Sequence, residues 1–159
     1  MFVAGFIGSP AMNLFEAQVT DLDGNLAVSF GPHSIDIPDN VLDAHADLKA
    51  FVGKKIALGI RPDDMYDAAI QPQYAARITG TPILLESLGS EIVTHLDIGV
   101  TPMQSTDPDM EDIEADTEQG SAVVARFSPH SNVQKNAPIE MSIDTARLHF
   151  FDLATSNMI

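Results

Sequence analysis

A β-hairpin is encoded by residues 14–30, which read LFEAQVTDLDGNLAVSF. Apolar and polar side chains alternate over Leu14–Thr20, which is the pattern of a strand that buries one face. Residues 21–25 then supply Asp-Gly turn chemistry, and the apolar stretch Leu26–Phe30 follows at once. The sequence therefore predicts two antiparallel strands joined by a tight turn.

Further short strands are predicted after this hairpin, each bounded by Gly, Pro, Asp or Ser. They are Ser34–Ile37, Lys54–Ile60, Tyr74–Ser87, Ile92–Ile98, Ala122–Phe127, Ile139–Ile143 and Leu148–Phe151. The stretch 74–87 contains Gly80-Thr81-Pro82, where we expect a bend. About nine short strands at this spacing indicate a mainly all-β fold, either a small barrel or a sandwich.

One helix is predicted between the third and fourth strands. Pro38-Asp39-Asn40 can open it, and Gly53 is well placed to end it. Four residues recur at helical spacing: Val41, His45, Leu48 and Val52. We expect this helix to pack on a barrel end or on a sheet.

The composition excludes several classes of function. Eight basic and 23 acidic residues among 159 give a formal charge of −15, so nucleic acid and anionic lipid are poor partners for this surface. The absence of Cys excludes disulfides and thiolate chemistry and is compatible with a reducing cytoplasm. No apolar run approaches the roughly 20 residues of a membrane helix, and the first residues lack the basic start of a secretory signal.

The sequence encodes no nucleotide-binding P-loop. Gly53-Lys54 is followed by Lys55, and Leu48 stands where the first Gly of that motif belongs. Residues 83–86, ILLE, resemble a Walker B strand only faintly, because no Asp precedes Glu86, and we interpret them as an ordinary strand end. A Ser-His-Asp triad stays open, since its members can come from distant segments.

Two groups of residues invite a metal-binding hypothesis. Asp43 and Asp47 share a helix face that His45 does not, so these three side chains cannot converge on one ion. The acidic segment, residues 101–120, fits a calcium loop better. If the loop begins at residue 107, four weak candidate ligands stand at loop positions 1, 3, 5 and 12: Asp107, Asp109, Glu111 and Glu118. The sixth position, which needs Gly, is Asp112, so we favour solvated carboxylates and keep weak divalent-ion binding as the alternative.

Two segments stand apart in composition. Residues 101–120 carry seven acids and no basic residue, which predicts a solvated, mobile loop. Residues 1–10 are apolar up to Gly8-Ser9-Pro10 and read as the tail of a helix cut from a larger chain, with Met1 either native or a start residue. We expect Phe2, Phe6 and Ile7 to pack on a missing domain or on a neighbouring chain.

Four blocks carry a family resemblance in their order and spacing. The chain resembles the C-terminal regulatory part of the ATPase subunit of ABC sugar importers of the maltose and glycerol-3-phosphate type. The blocks are FVAGFIGSP at 2–10 with Met12-Asn13, LGIRPD at 58–63, LESLGSE at 85–91 with His95, and RLHFFD at 147–152. Together they span nearly the whole chain.

The resemblance implies a connector, residues 1–10, from a missing ATPase domain, followed by an OB-like regulatory domain over 11–159. This fragment would be non-catalytic, and ATP and magnesium would bind in the missing domain. The implied partners are that ATPase domain, a second copy in a homodimer and, through the ATPase domain, membrane permease subunits, but no nucleic acid. The intact protein would be cytoplasmic and peripheral to the inner face of the cell membrane.

Two other readings stay open at this point. The chain could be a stand-alone small-ligand or divalent-ion-binding β module, or a free-standing hydrolase. Arg61 also has two possible roles. It can tie the turn Arg61-Pro62-Asp63-Asp64, in which Asp63 accepts local hydrogen bonds, or it can contact a partner across a subunit interface.

Overall fold

The computed structural model describes residues 11–103 and 122–159. Its strands are β1 Asn13–Leu22, β2 Asn25–Phe30, β3 His33–Asp36, β4 Lys55–Ile60, β5 Met65–Asp67, β6 Ala76–Ser87, β7 Ile92–Asp97, β8 Val123–Phe127, β9 Ile139–Ile143 and β10 His149–Asp152. Helix α1 is Asp39–Ala44, and three 3-10 helices follow along the chain at Ala46–Phe51, Pro62–Asp64 and Thr145–Arg147. None of the described helices is long and apolar enough to cross a membrane.

The strands form two five-stranded antiparallel sheets. The first sheet has the order β10-β4-β1-β2-β3, and the second has the order β5-β9-β6-β7-β8. The chain leaves the first sheet after β4, builds the whole second sheet, and returns with β10 beside β4. The outer strands of the second sheet, β5 and β8, lie close together, so that sheet curls into a nearly closed barrel.

Both sheets contribute to one hydrophobic core. Alternate residues of β1, β4 and β10 point into it, which places Phe15, Leu58 and Phe150 at essentially zero exposure. From the second sheet, Leu96 and Phe127 pack into the same cluster. A smaller separate cluster, Leu14, Ala57 and Phe151, lies on the opposite side of the first sheet.

The hairpin predicted at 14–30 is confirmed. β1 pairs with β2 in a register that sets Leu22 opposite Asn25, so Asp23 and Gly24 form a two-residue turn. Both have positive φ, 57° and 89°, which is the conformation that lets a tight turn follow the twist of the strands. The Asp21 carboxylate accepts the Gly24 N–H at 2.8 Å and holds this turn.

The prediction of a single helix up to Gly53 is wrong. Helix α1 ends at Ala44, His45 leaves helical geometry at φ −128° and ψ 55°, and a 3-10 helix continues to Phe51. Two contacts of the His45 ring explain this break. Its Nδ1–H donates to the carbonyl of Ile159 at 2.9 Å, and its edge meets the Phe150 ring. Gly53 does end the segment, with φ 81°.

The described residues contain ten strands where about nine were predicted. The missed strand is β5, whose three residues are too few to show alternation, and it is held by pairing with β9. β6 begins at Ala76 instead of Tyr74, and its register with β7 shifts between Pro82 and Leu84. That bulge bends the strand next to the predicted position.

Candidate functional site

The two places where the chain changes sheet lie side by side. One crossing is the 3-10 helix Pro62–Asp64 after β4, and the other is the 3-10 helix Thr145–Arg147 before β10. The Asp144 N–H donates to the Asp64 carbonyl at 3.3 Å and joins the two crossings through their backbones. The junction between the sheets is therefore the best-defined polar site in the described part of the chain.

Asp64 lies at the centre of this junction and is 4% exposed. Burial raises the pKa of its carboxyl above the ordinary 3.8, the Arg147 guanidinium lowers that pKa, and the Asp144 carboxylate raises it again. Arg147 Nε lies 3.9 Å from Asp64 Oδ1 and 3.5 Å from Asp144 Oδ2. Since the Arg147 side chain is 68% exposed, water screens much of this attraction.

A second link across the junction is made by the side chain of Asn13. Its amide nitrogen donates to the Ile60 carbonyl at 3.1 Å and to the Val124 carbonyl at 2.8 Å. Its amide oxygen accepts the Val124 N–H at 3.0 Å. The side chain thus pairs with the edge of β8 as a neighbouring strand would, and it ties the first sheet to the second.

Asp63 is also part of the junction, but not in the predicted way. Its carboxylate accepts a hydrogen bond from Arg126 Nη1 of β8 at 3.1 Å, and not from the local backbone. Arg126 Nε in turn lies 3.5 Å from a Glu91 carboxylate oxygen. The prediction of local bonds to Asp63 is wrong because its partner is far away in the sequence.

Arg61 stands at the entrance to the first crossing and is half-buried. Within the described residues its guanidinium pairs with no carboxylate, and the turn is closed by the Asp64 N–H donating to the Arg61 carbonyl at 3.0 Å. Its charge still acts on its surroundings. After burial, Arg61 is the next cause that lowers the pKa of His149. Whether Arg61 serves stability or an interface stays a prediction.

Most other residues singled out from sequence lie outside the described part of the chain. These are the connector residues Phe2, Phe6 and Ile7, the possible calcium ligands Asp107, Asp109, Glu111 and Glu118, and nearly all of the acidic segment 101–120. In the first metal hypothesis, Asp43 and Asp47 are exposed and His45 is half-buried. Across 11–103 and 122–159, no three His, Asp or Glu residues are grouped as metal ligands would be.

The motif at residues 83–86 and the side chain of His33 have structural explanations. Residues 83–86 lie within β6, where Glu86 faces His95 at 3.7 Å, so the interpretation as ordinary strand is confirmed. His33 Nε2–H donates to the Ile98 carbonyl at 2.6 Å and links β3 to the end of β7.

Sequence reasoning did not assign a role to Asn13 or Arg147. Both belong to blocks that carry the family resemblance, which is a signal that these positions matter. The signal does not name their partners, because Val124 is 111 residues from Asn13 in the chain.

The chain matches known proteins through one domain family. The family model of the MalK OB fold domain matches residues 8–65, which contain all of the first sheet except β10. Among solved structures, the cytoplasmic molybdate-binding protein ModG is similar in fold, with a TM-score of 0.52, 11% identity, and coverage of 87% of this chain and 94% of that one. These matches and the two sheets, of which the second is a nearly closed barrel, confirm a mainly all-β, OB-like architecture.

Curated relatives match nearly the whole chain. The trehalose/maltose import ATP-binding protein MalK of Thermococcus litoralis is 31% identical over 99% of this chain and 37% of its own length. The oligosaccharides import ATP-binding protein MsmX of Bacillus subtilis is 29% identical over 98% and 36%. The sn-glycerol-3-phosphate import ATP-binding protein UgpC of Psychromonas ingrahamii is 28% identical over 100% and 35%.

The chain spans little more than a third of the length of these relatives. Their shared identity as import ATP-binding proteins agrees with the family-model match and with the four blocks read from the sequence. Residues 8–65 therefore match the MalK OB fold domain family, and the chain as a whole is similar to one part of import ATP-binding proteins for sugars and related solutes.

Proposed function

We propose that this chain is the non-catalytic regulatory and dimerisation domain of the ATP-binding subunit of an ABC transporter that imports a sugar or a related solute. The observation that carries the proposal is the pattern of coverage. Relatives named as import ATP-binding proteins match 98–100% of this chain while the chain spans only 35–37% of them. What the relatives import differs, so the solute is left open.

In this proposal the chain itself neither binds nor hydrolyses ATP. The nearest approach to a P-loop is Gly53-Lys54-Lys55, in which Gly53 and Lys54 form a turn before β4 and their amides are already used. The Gly53 N–H donates to the Val19 carbonyl at 2.8 Å, and the Lys54 N–H donates to the Phe51 carbonyl at 2.8 Å. ATP and magnesium would bind in a separate ATPase domain, which residues 1–10 would connect to this one.

Titration calorimetry with magnesium-ATP tests this part of the proposal. The 159-residue chain should give no heat of binding, while the same chain fused to its ATPase domain provides the positive control. Micromolar binding to the chain alone would refute the non-catalytic assignment.

The proposed partners are the subunit's own ATPase domain, a second copy of the chain and, through the ATPase domain, membrane permease subunits. This places the intact subunit in the cytoplasm against the inner face of the membrane. The acidic surface supports protein partners over nucleic acid or anionic lipid, because a charge of −15 repels both. Sedimentation of the chain over a range of concentrations should show a reversible dimer, and a strict monomer at high concentration would contradict the dimerisation role.

The competing proposal is a stand-alone module for a small ligand or a divalent ion. The likeness to ModG concerns the fold, since identity is 11%. Of the junction arginines, Arg126 and Arg147 already face carboxylates of this chain. A thermal-shift panel of sugars, molybdate and calcium separates the two proposals, and we expect no shift with any of them.

A further inference from the structure

A small cavity lies where the outer strands of the second sheet, β5 and β8, come to an end. β5 ends at Asp67 and β8 ends at Phe127. The cavity has a volume of about 30 Å³. It is lined by Tyr66, Asp67, Ile70, Gln71 and Ser128. A space of this size holds about one or two particles as large as a water molecule.

Asp67 brings a buried carboxylate to this cavity. The residue is 8% exposed. Its Oδ1 accepts the Ala69 N–H at 3.0 Å, and its Oδ2 accepts the Ser131 hydroxyl at 2.7 Å. Each oxygen of a carboxylate can accept more than one hydrogen bond, so both oxygens of Asp67 retain a free lone pair.

No positive charge of the chain balances this carboxylate. All eight basic residues of the sequence lie in the described ranges 11–103 and 122–159, and their ion pairs involve other carboxylates. Asp64 is buried to a similar degree, but it faces Arg147. A buried charge costs free energy unless a counter-charge or a metal ion accompanies it. Asp67 therefore has the environment of a cation ligand.

The loops around the cavity are held in place by hydrogen bonds. The Gln71 N–H donates to the Asp67 carbonyl at 2.9 Å, and the Ser142 hydroxyl donates to the Gln71 carbonyl at 2.9 Å. On the other side, the Ser131 N–H donates to the Ser128 carbonyl at 3.0 Å. The lining residues thus offer one carboxylate together with carbonyl, amide and hydroxyl oxygens on a fixed frame. Oxygen donors of this kind are the ligands that hard cations prefer.

We propose that this cavity binds one small monovalent cation of about the size of potassium, with the Asp67 carboxylate as its charged ligand. Asp67 is the one acidic residue among those that line the cavity, and a single negative charge neutralises a single positive charge. A divalent ion would call for further carboxylate ligands. The bound ion would tie together the loops that follow β5 and β8, so it would stabilise the closed form of the barrel. The proposal does not depend on the similarity to importer proteins.

Thermal unfolding of the 159-residue chain in potassium chloride and in tetramethylammonium chloride tests the proposal. At equal concentration the two salts screen the charge of −15 equally, but tetramethylammonium is too large for a cavity of about 30 Å³. A cation that binds only the folded chain raises the melting temperature, and we expect a rise of about 3 °C at ten times the dissociation constant. Equal melting temperatures in the two salts up to molar concentration would overturn the proposal.

A matched pair of variants separates the cavity from the rest of the acidic surface. The Asp97 carboxylate accepts the Gly99 N–H at 2.9 Å, as the Asp67 carboxylate accepts that of Ala69, but Asp97 is exposed. Asn in either place keeps the acceptor oxygen and removes the charge. Asp67→Asn should abolish the difference between the two salts, and Asp97→Asn should retain it. A potassium effect that survives in the Asp67 variant would overturn the proposal.

Crystals of the unmodified chain grown in rubidium chloride give a readout that needs no variant. Rubidium replaces potassium and scatters X-rays anomalously, so an anomalous peak should lie within coordination distance of an Asp67 carboxylate oxygen. The absence of a peak at Asp67 would overturn the proposal even if Asp67→Asn failed to fold. A peak without any potassium-dependent shift in solution would mean binding at crystal concentration only, and it would overturn the proposal as well.

Discussion

The two sheets are joined by two links of opposite character. One link is the Asn13 side chain, which is 6% exposed, uncharged and bonded at both ends of its amide to Val124. The other is the arginine link, in which the largely exposed Arg147 faces Asp144 and the buried Asp64, and Arg126 faces the exposed Asp63. A count of charges would rate the arginine link as the stronger one.

The free energies that are typical of the two kinds of interaction reverse that ranking. A buried hydrogen-bonding group that loses its partner retains no water to replace it, so each orphaned group costs about 1–3 kcal/mol. An exposed ion pair is worth about 0–1 kcal/mol because water screens it. The comparison therefore predicts that the Asn13 link contributes more to the stability of the junction between the sheets and that the arginine link contributes less.

The largest effect is expected from Asn13→Ala. This change leaves the Val124 N–H and the Val124 carbonyl without their side-chain partner and removes one of the hydrogen bonds to the Ile60 carbonyl, and we expect the free energy of unfolding to fall by about 3 kcal/mol. Urea unfolding followed by circular dichroism measures it. Asn40→Ala, at an exposed position of α1, is the control and should change stability by less than about 0.5 kcal/mol. Equal losses from the two variants would contradict the ranking of the links.

A smaller loss is expected from Arg61→Ala. Arg61 is half-buried at the start of the first crossing, and its charge favours the ionised form of Asp64, so we expect a loss of about 1 kcal/mol and a lower melting temperature. Lys135→Ala, at an exposed site, should change little. If the melting temperature stays constant while self-association is lost, Arg61 belongs to an interface and its structural role is wrong.

Asp64 should give stability a dependence on pH. Since burial raises its pKa in the folded state, the folded protein holds this proton more tightly than the unfolded chain does. The resulting stabilisation is complete below the ordinary value of 3.8 and is lost as pH rises through the folded-state pKa. Asp64→Asn should remove that loss, so its stability should gain on the parent chain as pH is raised. If the stabilities of the two proteins changed with pH in parallel, Asp64 would not be the source of this pH dependence.

The smallest effect is expected from Arg147→Ala. Its ion pairs lie at 3.5 and 3.9 Å on a largely exposed side chain, so the loss should be about 0.5 kcal/mol and should vanish in 1 M salt. Denaturant unfolding at low and high salt measures both. A loss that matches the Asn13 variant and persists in salt would place the arginine link above the neutral one.

Local patterns in the sequence predicted local structure well. The alternation and the Asp-Gly turn of residues 14–30 specify a hairpin without help from the rest of the chain, and the structure contains that hairpin with its two-residue turn. The resemblance blocks went further and predicted the OB-like fold class. They also marked Asn13 and Arg147 as positions of interest without saying why.

The failures involve contacts between distant segments. The helix after Asn40 breaks at His45 because its ring bonds to Ile159, which is 114 residues away. Asp63 turns from the local backbone to Arg126, and β5 exists because β9 lies beside it. A pattern within one segment contains no information on such partners. Neither the junction nor the relative strength of its two links could therefore be predicted from sequence.

The return of β10 to the first sheet also governs how the chain must fold. The edge of β4 can be covered only after residues 61–148 have been made, because its partner β10 begins at His149. A nascent chain that has just completed β4 therefore presents an unpaired strand edge while the entire second sheet is still being synthesised. Closing so long a loop makes completion of the first sheet slow, and the delay falls on the part of the molecule that matches the family model.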